Sequence, residues 1–144
     1  LVLKLGIWMY PNNLEKKSSE EEVYSSVYIP VSGYPEVYTG SLSNIFFIAD
    51  IDFSNVIFIH LNSELLLCVN ESYLFFNDNI NYIATSLQRS YTKSYEINHV
   101  IHGPALLFGQ KFDQTKNNEK IDSIQNKYIE ELFLRAFFYE KNKF

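Results

Sequence analysis

Three histidines, His60, His99 and His102, are the residues of this chain best suited to hold a metal or move a proton. On a helix His99 and His102 would share a face, and with His60 they would complete the three-imidazole set that zinc or iron takes. Gly103-Pro104 follows directly and breaks any helix there. "INHVIH" therefore reads as extended chain, where residues three apart point to opposite faces and cannot chelate together. No nucleophile motif accompanies any of the three, so the reading is structural histidines, with no catalytic residue, metal or cofactor. In "HVIHGPALLFGQ" the expectation is a Gly-Pro turn, a core strand over "ALLF", and an end to that strand at Gly109.

Other polar constellations are weaker. Asp50 and Asp52 would share a face only in extended chain, and two carboxylates without a third ligand fit a solvated turn better than a metal site. "GPALLFGQKF" fails as a phosphate loop, because its glycines are wrongly spaced and no Lys-Ser or Lys-Thr follows the second one. In "QRSYTKSYE" the residues Arg89, Tyr91, Lys93 and Tyr95 would line one side of an extended chain, alternating cations and rings as single-strand binders do. An edge strand protected by Lys and Arg has the same pattern.

The net charge of −5 argues against broad binding to a polyphosphate backbone, and leaves room only for a local basic surface in the second half of the chain, such as those four residues. With one cysteine, Cys68, the chain forms no internal disulfide, which points to a reducing compartment, cytoplasmic or inside an organelle. The apolar "ELLLCVN" around it reads as a buried, inert thiol. Charges interrupt every apolar run before membrane-spanning length, so a soluble chain is expected. Phe (12) and Tyr (11) far exceed Gly (5) and Pro (4), and Asn and Ile are also abundant. Residues with AT-rich codons dominate, so the aromatic excess reflects an AT-rich genome before it reflects an aromatic site.

The elements follow from periodicity. "LVLKLGIWM" reads as a strand and 12–22 as a mobile acidic loop ahead of a strand in "VYSSVYIPV". From the N-cap candidate Ser41, Leu42, Ile45, Phe46, Ala49 and Phe53 have helical spacing, although "IFFI" alone would also suit a strand. "NVIFIHL" and "ELLLCVN" flank a tight turn and form a hairpin of two central strands, since both faces of each are apolar. Strand and loop are expected between Glu71 and Glu96. A helix is expected over 118–141, on the spacing of Ile121, Ile124, Tyr128 and Leu132 and the Glu131–Arg135 pair. Its "LFLRAFF" half is apolar around much of its circumference, which marks Leu132, Phe133, Phe137 and Phe138 as a partner-binding surface.

The order "PEVYTGSLSNI", "VNESYLFFNDNI", "IHGPALLFG" and a terminal helix resembles a small domain family of unknown function carried by phages and mobile elements. Asn70, Glu71, Asn79, Gly103 and Gly109 stand at its motif positions, over roughly 28–135, while 81–96 and the N-terminal extension depart from it. The resemblance implies a small α+β fold and carries over no established activity. It singles out Asn70 and Glu71 as residues that hold a turn or meet a ligand, the turn being preferred.

The expectation is a single α+β domain over 1–144: a mostly antiparallel sheet, one short helix, and a C-terminal helix packed on the sheet. Its function is expected to be that of a non-enzymatic protein-binding accessory, for example a phage-borne modulator of a host system, acting in a homo- or hetero-oligomer. An organelle-encoded subunit of a large protein or ribonucleoprotein assembly is the first alternative, and a metal-dependent enzyme using the histidines is the second.

Overall fold

The computed structural model describes residues 22–71, 79–92 and 100–141. The expected N-terminal strand lies outside them, as do the expected loop up to Glu21 and His99, Lys93 and Tyr95. The described chain forms one α+β domain around a six-stranded, antiparallel sheet. Its strands are β1 (Tyr24–Ile29), β2 (Glu36–Gly40), β3 (Val56–Asn62), β4 (Leu65–Asn70), β5 (Ala105–Asp113) and β6 (Asn118–Asp122), in the order β2-β1-β5-β4-β3, with β6 paired to β5. The helices are α1 (Leu42–Ala49), α2 (Tyr82–Tyr91) and α3 (Asn126–Lys141).

Strand periodicity of two divides the sheet into two cores. One face buries Val27, Ile29, Leu65, Leu67, Val69 and Leu107 beneath α2 and α3, which supply Ile83, Leu87, Tyr128, Leu132 and Ala136. The other buries Leu66, Cys68, Leu106 and Phe108 beneath α1, whose Ile45, Phe46 and Ala49 meet them. Phe46 stacks on Phe108 with ring centroids 5.8 Å apart. Each fully buried Val, Leu, Ile or Phe among them contributes ~1.5–3 kcal/mol by leaving water.

The short helix from Ser41 is present, and the Ser41 hydroxyl accepts from the Asn44 N–H as an N-cap. The β3–β4 hairpin is also present, but only β4 is central. β3 lies at the sheet margin among the described strands, with a register shift between His60 and Asn62. Apolar residues on both faces of a strand report cover above and below it, not neighbours to left and right, and this is why β3 looked central.

Three further expectations need correction. The region after Glu71, expected as strand and loop, contains α2, whose Ile83, Ala84 and Leu87 are buried at helical spacing. β5 does not end at Gly109 but runs through it to Asp113, because β6 takes over as its neighbour there. The C-terminal helix begins at Asn126, and 118–122 form β6. Ile121 lies in the α1 core and Ile124 in the α3 core, so their three-residue spacing came from a crossing between layers and not from a helix.

Cys68 is buried completely, and burial pushes its thiol well above the usual range. Native protein at neutral pH is therefore expected to react with iodoacetamide only at the rate at which the α1 layer opens. Labelling as fast as that of the urea-unfolded chain would show that α1 does not close over β4.

Candidate functional site

Burial and hydrogen bonding decide which of the polar candidates are spoken for. Asp52 caps the 3-10 turn Phe53–Asn55, accepting from the Ser54 N–H at 3.1 Å and the Ser54 hydroxyl at 2.8 Å. The hydroxyl bond is the main cause holding its carboxyl below the ordinary value. Asp50 ends α1 in a left-handed conformation, φ 62°. Asn70 ties this segment to the end of β4, accepting from the Asp52 N–H at 3.2 Å and donating to the Asp50 carbonyl at 3.4 Å. Asn70 thus holds a turn, and Glu71 beside it is exposed.

Arg89 and Tyr91 lie in the last turn of α2, not on an extended chain. Residues two apart on a helix diverge by about 200°, so they cannot form one ladder of rings and cations. Arg89 is exposed, whereas Tyr91 packs on the α2–α3 core and donates to Glu131 at 3.4 Å. The other two members, Lys93 and Tyr95, are outside the described residues.

His60 sits on β3 and His102 in an isolated bridge to Ile80. Among the described residues no three His, Cys, Asp or Glu side chains are placed to hold a metal. His60 does have an organised environment. The side chain of buried Gln110 donates to the Asn62 carbonyl at 2.7 Å and the Leu65 carbonyl at 3.3 Å, which fixes its amide. Its Oε1 must then accept, and it lies 2.7 Å from His60 Nδ1, with Glu119 Oε1 at 3.3 Å. The proton of neutral His60 is therefore on Nδ1, leaving Nε2 as the acceptor. Among the described residues the partners of this imidazole are Gln110 and Glu119, neither of which is a hydroxyl or thiol nucleophile.

The remaining candidate is α3. Its first turn is anchored by polar contacts to the β3–β4 turn: the Tyr128 hydroxyl donates to Glu64 at 2.9 Å, and Lys127 lies 3.4 Å from the same carboxylate. These two contacts, the hydroxyl first, lower the Glu64 pKa. Further along, Leu132 is buried in the core and Phe133 partly so, which corrects the expectation that Leu132 belongs to the partner-binding surface. A helix packed by Tyr128, Leu132 and Ala136 must turn residues 134, 137 and 138 to the opposite side. Leu134, Phe137 and Phe138 are indeed 57%, 50% and 52% exposed, and the two phenylalanine rings meet edge to face at 5.8 Å. On neighbouring α2, Tyr82 is exposed and stacks with Tyr139, extending the aromatic surface.

The outward exposure of Phe137 and Phe138 is legible in the sequence, and that of Leu134 follows from its i, i+3, i+4 relation to them. Sequence reasoning missed Gln110, whose signal is a polar residue between Phe108 and Phe112 on one strand face. Among the described residues no helix is long and apolar enough to cross a membrane. A scan against protein-family models finds no match, and searches of curated proteins and of solved structures find none either.

Proposed function

We propose that this chain is a non-enzymatic protein-binding accessory that docks on another protein through the outer face of α3. One observation carries the reading: Leu134, Phe137 and Phe138 form an apolar stripe at i, i+3, i+4 directly opposite the buried side of the helix. A surface helix normally carries polar residues there, and large clustered apolar side chains left in water favour association. The phage-borne modulator and the organelle-encoded subunit are two settings for the same surface, which fits either a second copy or a different protein.

A photo-crosslinking residue in place of Phe137 is expected to give a discrete protein adduct in the native cell. The same residue in place of Lys116, on the exposed β5–β6 turn, is expected to give none. Adding Leu134→Ser and Phe138→Ser should remove the adduct while leaving the fold intact, since both side chains are half in solvent. Equal labelling at both positions would refute the docking face. Stoichiometric zinc or iron in purified protein, lost on His99→Ala, would replace the reading with the metal-dependent enzyme.

A further inference from the structure

The edge of the sheet at β2, where Tyr28 and Tyr38 lie half-buried against the α1 core, combines three features. First, β2 pairs with β1 in unbroken register from Tyr24↔Gly40 to Tyr28↔Glu36, and its other side has no strand against it among the described residues. Edge strands are usually guarded by charged side chains, a proline or a bulge, and the only such guard within Glu36–Gly40 is the carboxylate of Glu36, which disfavours an acidic strand and not a basic one. Second, the register places Tyr28, Tyr38 and Glu36 on one face, and the Tyr28 and Tyr38 rings stack at 5.0 Å with an interplanar angle of 8°. Third, two carboxylates act on this pair. Burial is the main cause that raises the Tyr28 pKa, and the charges of Asp50 and Glu36 add to it; Glu36 also raises Tyr38 after burial. Among the described residues no Lys or Arg forms an ion pair with Glu36 or Asp50.

We propose that β2 accepts an extended basic segment of another protein as an added strand, with one Arg or Lys lying beside Tyr38 and Glu36. Main-chain hydrogen bonds to an open edge supply affinity without regard to sequence, and alternate side chains supply selection. On the tyrosine face the selection is for a cation, which a stacked ring pair and two carboxylates both attract, and for Arg above Lys because its plane can stack. On the opposite face Val37 is 45% exposed, so the residues flanking the cation should be apolar and β-branched. A second copy of this chain fits poorly, because edge-to-edge pairing would bring two sets of the same carboxylates together. The inference deepens the protein-binding reading, resting on it for the class of partner, but uses different residues.

The test is a capped heptapeptide alternating valine and arginine, titrated into isotope-labelled protein and followed by amide shifts. Shifts are expected to concentrate at 36–40. Tyr38→Ala and Glu36→Lys should each weaken binding about tenfold, and Tyr38→Phe should leave it near the parent value. Glu36 is exposed and Tyr38 half-buried, and retained shift dispersion confirms that the variants fold. Of two peptides N-methylated at odd or even residues, at least one should fail to bind, because it cannot form the ladder. Binding by both, equal binding by a peptide with Glu in place of Arg, or no shift at 36–40 at millimolar peptide would overturn the proposal. Phe138→Ser, which tests the α3 face, should leave peptide affinity unchanged; loss of binding in that variant would place the peptide on α3 and also overturn the edge.

Discussion

Gly109→Ala is expected to destabilise the protein by about 3 kcal/mol, lowering its melting temperature by about 10 °C. A Cβ at this position would fall well inside van der Waals contact of the Ser123 carbonyl oxygen and 3.0 Å from its carbon. Both are main-chain atoms, so no side chain can rotate aside. Ser123 cannot retreat cheaply either, because its hydroxyl accepts from the Ser25 N–H at 2.9 Å and the next N–H, of Ile124, donates to the Ser25 carbonyl at 3.0 Å. Relief would have to come from breaking the junction of β1 and β6. Gly103→Ala is a useful contrast. Its φ of +84° is unfavourable for alanine, but nothing lies within 4 Å of the added carbon, so about 1 kcal/mol is expected. Thermal melts of the two variants check the ordering, and a Gly109→Ala protein melting within 2 °C of the parent, roughly the shift of a sub-kcal change, would refute the crowding.

Asn81→Ala should cost a similar amount, about 3 kcal/mol or more, by a different mechanism. Asn81 is fully buried at the N-cap of α2. Its Oδ1 accepts from the Ala84 N–H at 3.0 Å, and its Nδ2 donates to the Ile29 carbonyl at 2.9 Å and to the Gly103 carbonyl at 2.9 Å. One amide thus joins α2, the end of β1 and the turn before β5. Alanine removes a cap, worth ~1 kcal/mol, and leaves two carbonyls without this donor, at ~1–3 kcal/mol for each one truly dry. Asn81→Asp separates the contributions: it can still cap, but it sets a carboxylate against two carbonyl oxygens and should be at least as unstable as alanine. Urea titrations of both variants decide the matter, and an aspartate variant as stable as the parent would show that the two carbonyls are satisfied by other means.

Asn81 also marks the limit of what the sequence reveals. As one Asn among the turn formers of "NDNIN" it reads as loop punctuation, and of the five residues that follow, Tyr82, Ile83, Thr85 and Ser86 are only middling helix formers. The helix exists because Ile83, Ala84 and Leu87 find a hydrophobic layer to enter, and that layer is assembled from strands distant in sequence. Features set by neighbours were legible: the Ser41 cap, the β3–β4 hairpin, the buried Cys68 and the α+β class. The aromatic stripe on α3 was half legible, because composition exposes an excess of apolar residues but the phase of the helix on the sheet decides that Leu132 faces in and Leu134 out. The β2 edge was not legible at all. Tyr28 and Tyr38 meet only once the register of β1 and β2 is fixed, and the charge of Asp50 reaches Tyr28 only through the tertiary fold.

The junction of β1 and β6 has a mechanical consequence. The two strands lie end to end along the same side of β5, β1 at 105–107 and β6 at 109–113, so that side of β5 is served by two short pieces instead of one long strand. The β1–β2 hairpin is therefore fastened laterally by three residue pairs, whereas β4 grips β5 by five. Native-state opening should follow this parting line, with the hairpin peeling away as a cooperative unit while the β3–β4–β5 slab persists. A vacated flank on β5 suits the same hairpin from a neighbouring molecule, which gives the fold a route to reciprocal strand exchange at high concentration.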